Sequence, residues 1–285
     1  MSKTYLRLIS DLHLKAGQVD VNLPILPEDD QTILLVAGDL GVRSRAVDWL
    51  ESMSQRFDQV VLVLGNHDFY NHDPYENYDE VAEDRRYTIS ELRDLWQSEL
   101  ASVSNVHLLE NQALQLNGVR ILGATLWTDF LDDPFIMYAA QAMADYRLIL
   151  DDLTRQSISP KLTQAIHRDT VAWLREHFAQ QVSVPTIVLT HHVPTWQCIT
   201  NRDYLEDELT HAYSTNLDDL IRLSGASLWV YGHNHQAHIM GIGNTQLISN
   251  PLGFIGEYTG YCADQQLILD EDGNCIIKGK GYEPR

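Results

Sequence analysis

The chain is short of cysteine, of basic residues and of long apolar stretches, and each shortage excludes something. The three cysteines, Cys198, Cys262 and Cys275, are an odd number at spacings that match no metal motif. They read as packed thiols of a reducing compartment rather than as a disulfide framework. No apolar stretch approaches the roughly 20 residues of a membrane span. Met1-Ser-Lys-Thr-Tyr5 leads straight into a strand-like run without a charged-then-apolar leader, so a cytoplasmic location is expected. Lys and Arg number 20 against 40 Asp and Glu, a formal charge of −20. Such a surface repels a nucleic-acid backbone and an anionic membrane, which argues against both as partners. A small phosphorylated substrate remains compatible, because divalent cations at a site would reverse the charge locally.

Low-complexity segments, internal repeats and linkers are also missing. The apolar share of 44% is that of an ordinary globular chain, and a single domain over 1–285 is expected, with insertions around 70–100 and 129–182 forming part of a site rim. The pattern that is present alternates buried strands with amphipathic segments, which implies an α/β fold. Continuous apolar runs at Leu6–Ile9, Ile33–Val36, Val60–Leu64, Thr186–Leu189 and Leu228–Tyr231 read as strands buried on both faces. Lys15–Asp30 reads as a loop broken by Pro24 and Pro27. Helices are expected over Ser44–Phe57, over Asp79–Ala101 and through Phe135–Gln181, the last with Ser159 and Pro160 opening its second half. Ala113–Leu116 and Val119–Ala124 flank Asn117-Gly118, a hairpin signature that marks a change from parallel to antiparallel pairing. Asn201–Ser214 reads as an ordered polar loop at a site mouth. Thr245–Ser249 and Gln265–Leu269 read as closing strands, and the tail adds one edge strand at most.

Five short strings directly follow five of these strands: Asp11-Leu-His13, Gly38-Asp39, Gly65-Asn66-His67-Asp68, His191-His192 and Gly232-His233-Asn234-His235. Open α/β sheets place their sites just past the carboxyl ends of core strands. Carboxylate, imidazole and amide without thiolate is the donor mixture of borderline metals such as manganese, iron, zinc, nickel or cobalt. A carboxylate shared by two cations holds them about 3.5 to 4 Å apart, close enough for a bridging hydroxide to be activated at neutral pH. One such residue alone is more often a cap or a surface group. Seven together at strand ends would crowd like charges and unsatisfied groups unless a cation held them.

The five strings in this order resemble the calcineurin-like metallophosphoesterase superfamily, and they span most of the chain. The resemblance implies a four-layer αββα sandwich of two mixed β-sheets flanked by helices, which agrees with the elements above. Carried over by motif position, it implies that Asp11, His13 and His235 serve one divalent metal and Asn66, His191 and His233 a second, with Asp39 bridging. His67 would contact the scissile phosphate and assist the leaving group, and Asp68 would fix the His67 ring. Either His191 or His192 could face the metal; His191 is preferred because it comes first after the strand. Purple acid phosphatases differ, since they carry a tyrosine where this chain has Val42 and a glycine in place of His13. That departure argues against an iron(III)–tyrosinate site. Ala124–Phe130, Asp145–Arg147 and Asn250–Gly253 further resemble a bacterial branch of the superfamily.

The expected function is that of a binuclear metal-dependent phosphoesterase acting on a phosphomonoester or phosphodiester through a metal-bridging hydroxide, with His67 assisting. The alternatives are a non-catalytic metal-binding scaffold of the same fold and a nucleotide pyrophosphatase or nuclease variant. His72, His107, His167, His177, His211 and His238 read as surface or core residues, the last but one and the last near the mouth. Arg147 and Arg202 are candidates to grip a phosphate, with surface ion pairs as the plainer reading. Trp127 and Tyr146 read either as pocket walls or as core.

Overall fold

The computed structural model describes residues 3–15, 21–71, 86–132, 135–200 and 207–279. The buried runs form strands as the pattern requires: β1 (Lys3–Ile9), β2 (Thr32–Ala37), β3 (Gln59–Val63), β4 (Val106–Leu108), β5 (Gln112–Leu116), β6 (Val119–Ala124), β7 (Thr186–Thr190), β8 (Leu228–Tyr231), β9 (His238–Ile242), β10 (Thr245–Ser249), β11 (Gln266–Asp270) and β12 (Cys275–Lys278). They build two six-stranded sheets, ordered β12-β11-β1-β2-β3-β4 and β5-β6-β7-β8-β10-β9. In the first sheet β1 to β4 run parallel, and β11 and β12 close the edge antiparallel. In the second β6, β7, β8 and β10 are parallel, and β5 and β9 pair antiparallel at its two edges. The chain changes sheets between β4 and β5, just before the hairpin. Asn117 and Gly118 both have positive φ (48° and 78°), the geometry of the two-residue turn that matches strand twist.

Strand side chains alternate between faces, and this alternation sorts the core into layers. Leu6, Leu8, Ile33, Leu35, Val61 and Val63 face Ile121, Ile187, Leu189, Leu228 and Val230 between the sheets. Leu34, Val36, Val60 and Leu62 point outward under the helices α1 (Arg43–Ser54) and α2 (Ile89–Leu100). Leu122, Val188, Trp229 and Leu247 meet α5 (Pro160–Phe178) and α7 (Asp218–Ser224) on the other side. The result is the expected αββα sandwich. Arg7 interrupts an apolar strand and is buried, with Nη1 3.0 Å from Asp29 and 2.9 Å from the Pro24 carbonyl. None of the described helices is long and apolar enough to cross a membrane, and no two of the cysteines form a disulfide.

Three expected elements change. The helix placed over Asp79–Ala101 begins only at Ile89, because Thr88 caps it: the Glu91 amide reaches the Thr88 hydroxyl at 3.4 Å and the Glu91 carboxylate accepts the Thr88 amide at 2.8 Å. Residues 79–85 of that expectation, like His72 and Arg202, lie outside the described residues. The long helical stretch from Phe135 is broken into α3 (Ile136–Ala142) and α4 (Asp145–Leu148) before α5. The break between α4 and α5 falls where Asp151 Oδ1 accepts the amides of Leu153 and Thr154 at 3.0 and 2.7 Å, a side-chain turn that competes with the helix. In the acidic segment before Ser214, the loop gives way to a single helical turn, α6 (Thr210–Tyr213).

Helix α2 also supports the site, since the buried Trp96 donates its indole N–H to the Asp68 carbonyl at 3.2 Å. Replacing Thr88 with Ala should therefore lower stability by about 1 kcal/mol, the usual cost of losing such a cap. Denaturant titration checks this; an unchanged midpoint would show that packing alone defines the start of α2.

Candidate metal centre

All eight candidate residues converge at the carboxyl ends of β1, β2, β3, β7 and β8. The loops that carry them are bonded to each other: the amides of Asp11, His13 and Leu14 donate to the carbonyls of Gly38, Asp39 and Leu40 at 3.0, 3.0 and 2.8 Å. Asp11, His13, Asp39, His233 and His235 all have positive φ, between 43° and 74°. Each such residue costs about 1 to 3 kcal/mol, and strain of this kind persists only where its surroundings over-determine it. Gly65 shows the crowding, because a Cβ there would lie 2.1 Å from Asp39 Oδ1 and 2.7 Å from the His191 ring.

Asp68 has a different role from the expected one. Its carboxylate accepts the amides of Asp39, Leu40, Gly41 and Gly65 at 2.9, 2.9, 3.2 and 2.8 Å. It therefore shapes the two loops that present Asp39 and Asn66, and makes no hydrogen bond to the His67 ring among the described contacts. Burial pushes its carboxyl up to about 7, against the pull of those four amides.

Lone pairs outnumber protons at the centre. The Nδ1 of His191 lies 2.8 Å from the Ala37 carbonyl, which can only accept, so the proton sits on Nδ1 and Nε2 carries a lone pair. Burial lowers the pKa of His191 and keeps the ring neutral. That Nε2 lies 3.1 Å from Asn66 Oδ1, 3.0 Å from His233 Nδ1 and 3.4 Å from Asp39 Oδ1. Apart from a proton on His233 Nδ1 or on the Asp39 carboxyl, whose pKa burial raises, nothing in this group can donate to the others, and one cation would satisfy all four. A second group stands beside it. His235 Nδ1 lies 2.7 Å from Glu257, an arrangement that turns Nε2 towards a metal, and its Nε2 is 3.0 Å from His13 Nε2 and 3.5 Å from Asp11 Oδ1. His13 Nε2 is 3.8 Å from Asp39 Oδ2. Each carboxylate oxygen of Asp39 thus faces a different group. In the triads Asp11–His13–His235, Asp39–His191–His233 and His13–Asp39–His67, donor atoms lie within 4.8 Å of one another. Buried carboxylate and imidazole donors converging in this way are of the kind that holds divalent cations.

His192 belongs to neither group. Its Nδ1 lies 3.1 Å from the Thr125 carbonyl and its ring packs 5.0 Å from Trp127. The His67 amide donates to Asp39 Oδ1 at 3.0 Å, and its ring sits 4.8 Å from His13 and 4.5 Å from Tyr70. Burial, then the neighbouring His191, pushes its pKa down to about 3, so the ring is neutral.

A cleft of about 470 Å3 opens above the centre, lined by Asp39, Asn66, His67, His233 and His235 together with Tyr70, Met143, Arg147, Tyr213, Phe254 and Glu257. Arg147 is the one Lys or Arg among the described lining residues. Trp127 is core instead, and the Tyr146 hydroxyl pairs with Thr163 at 3.1 Å within the protein. His211 stacks on Phe135 at 4.3 Å and His238 lies 3.5 Å from the Tyr231 hydroxyl; neither lines the cleft. Glu257, Tyr70 and Phe254, which stacks on His13 at 4.2 Å, escaped the sequence reading because no strand or motif marks them.

A sequence model described as calcineurin-like phosphoesterase matches residues 6–237. An uncharacterized protein of Acanthamoeba polyphaga mimivirus is 25% identical over 93% of this chain and 98% of its own length. The crystal structure of the phosphopantetheinyl hydrolase of Mycobacterium tuberculosis superposes over 100% of this chain and 99% of that one, with a TM-score of 0.69 at 18% identity.

The protonation of the centre makes a test. Burial acts against a charge on His235, yet Asp11 and Glu257 outweigh it and hold the pKa up to about 9; burial, then Asp68 and Asp11, raises that of Asp39. His235 therefore holds a proton near neutral pH that a cation must displace. Metal binding should release at least one proton at pH 7, and affinity should rise with pH until His235 titrates near 9. Calorimetry in buffers of different ionisation enthalpy reads this directly, and binding without proton release would contradict the arrangement.

Proposed function

Because the chain belongs to the calcineurin-like phosphoesterase family, we propose that it hydrolyses a small phosphate ester at two divalent cations. The observation that carries this reading is Asp39, one oxygen 3.4 Å from His191 Nε2 and the other 3.8 Å from His13 Nε2, as a bridging carboxylate requires. Asp11, His13 and His235 would hold one cation and Asn66, His191 and His233 the other. When bound, the cations supply Lewis-acid polarisation of the phosphoryl group and a nucleophile at neutral pH.

The protein's own residues do the rest. An Nδ1-to-carbonyl bond fixes the tautomer of His191 and an Nδ1-to-carboxylate bond orients His235, so that Nε2 of each faces the site before any ligand arrives, with a lone pair on His191 and a displaceable proton on His235. His67 lines the cleft beside Asp39 with a neutral ring. It offers an N–H to a phosphoryl or leaving-group oxygen, and so stabilises charge that develops there. Phe254 and Tyr213 wall the cleft over His13 and His233, at 4.2 and 4.8 Å. The volume, about 470 Å3, suits a small molecule rather than a polymer, in keeping with the charge of −20.

Metal-stripped protein supplied with manganese, nickel, zinc or magnesium should hydrolyse chromogenic phosphomonoesters or phosphodiesters. His67→Ala should keep both metals and lose about 10²- to 10⁴-fold in turnover, most for poor leaving groups. Loss of a metal on that change would move His67 among the ligands. Two bound metals without turnover of any ester would favour the scaffold reading.

A further inference from the structure

Asn66 presents a question that the metal centre alone does not answer. The two ends of a carboxamide are nearly the same shape, and either could face His191 Nε2. Turned one way the oxygen is available to a cation; turned the other way the NH2 donates to the imidazole lone pair and blocks the site. Without a cation the second arrangement satisfies more hydrogen bonds locally. Something else must select the first.

Asp145 does so. It is buried, and its Oδ1 lies 2.8 Å from Asn66 Nδ2. A carboxylate only accepts, so it binds the NH2 end and leaves Asn66 Oδ1 aimed at His191, 3.1 Å away. The same carboxylate oxygen accepts the hydroxyl of Tyr70. Tyr70 in turn lies under the His67 ring at 4.5 Å and stands 3.4 Å from Asn66 Nδ2. Asp145 comes from α4, 79 residues beyond Asn66, and reaches the site only because α4 packs against the turn Asn66–Phe69 that follows β3. One carboxylate thus bonds a candidate metal ligand and the aromatic support of the phosphate-facing histidine.

We propose that Asp145 is a positioning residue of the metal centre, fixing the Asn66 carboxamide with its oxygen towards the cation and seating Tyr70 beneath His67. The proposal rests on the two-cation reading. It explains why a buried acid without a described ion-pair partner sits beside a centre already rich in carboxylates: its function is to orient a ligand rather than to bind the cation itself. The effect is specific to one of the two cations, because Asp11, His13 and His235 make no bond to Asp145 among the described contacts.

The test is calorimetric titration of metal-stripped protein with manganese, read as stoichiometry and affinity at each site, alongside thermal unfolding. Wild-type protein should bind two ions. Asp145→Leu, which fills the space without accepting, should weaken one of the two by about 10- to 100-fold, the range found when partners behind a ligand are lost. The other ion should be unaffected. Asp145→Asn keeps an acceptor oxygen for the Asn66 NH2 and should restore most of the affinity. Asp145→Leu should add nothing to Asn66→Ala, since Asp145 acts on the cation only through the Asn66 carboxamide. Failure of the wild type to bind two ions would overturn the two-cation reading itself. Two ions in the wild type with undiminished affinities in Asp145→Leu, or equal losses at both sites, would overturn the role of Asp145. If the leucine variant does not fold, Asp145→Asn and Asp145→Ser decide: serine, too short to reach Asn66, should lose the one ion that asparagine keeps, and equal behaviour of the two would contradict the proposal.

Discussion

The arrangement depends on a shortage of protons around one buried carboxylate. Asp39 sits at the end of β2 with His13 on one side and His191 on the other, and most of the atoms turned towards it carry lone pairs. Packing such groups together in a low-dielectric interior is costly unless a cation or extra protons compensate. The second compensation is built in: burial and neighbouring carboxylates raise the pKa of Asp39, and Asp11 and Glu257 raise that of His235. Divalent cations would provide the first, with protons leaving as they enter.

That shortage is built in by backbone bonds rather than by the site residues themselves. Carbonyls of Ala37 and Thr125 set the tautomers of His191 and His192, and the Asp68 carboxylate gathers four amides that would otherwise point at nothing. Five site residues in the left-handed region store strain that only the two packed sheets beneath them can sustain. The rigidity of the sandwich and the geometry of the centre are therefore one property. A looser core would let the loops relax and the lone pairs turn away.

Much of this was legible in the sequence. Apolar, β-branched runs mark strands buried on both faces wherever they occur, and the five strings stand at their ends, so β1, β2, β3, β7, β8 and the convergence of Asp11, His13, Asp39, Asn66, His191, His233 and His235 follow from local pattern. The Asn117-Gly118 turn was equally plain. What was not legible depends on contacts between distant segments. Glu257 and Phe254 arrive on a glycine-rich connection with no periodicity, and the break between α4 and α5 holds an Asp151 side-chain turn that competes with helical spacing. Asp68 was misassigned because adjacency in sequence suggested contact with His67. Successive residues of a helical turn point away from each other, and Asp68 faces inward while His67 faces the cleft.

Anomalous diffraction at the manganese edge, from crystals grown with that ion, tests the central claim most directly. The account predicts two peaks flanking the Asp39 carboxylate, one reached by Asp11, His13 and His235 and the other by Asn66, His191 and His233. A single peak, an ion bound by His192 in place of His191, or an empty centre with Asp39 still in place would contradict it.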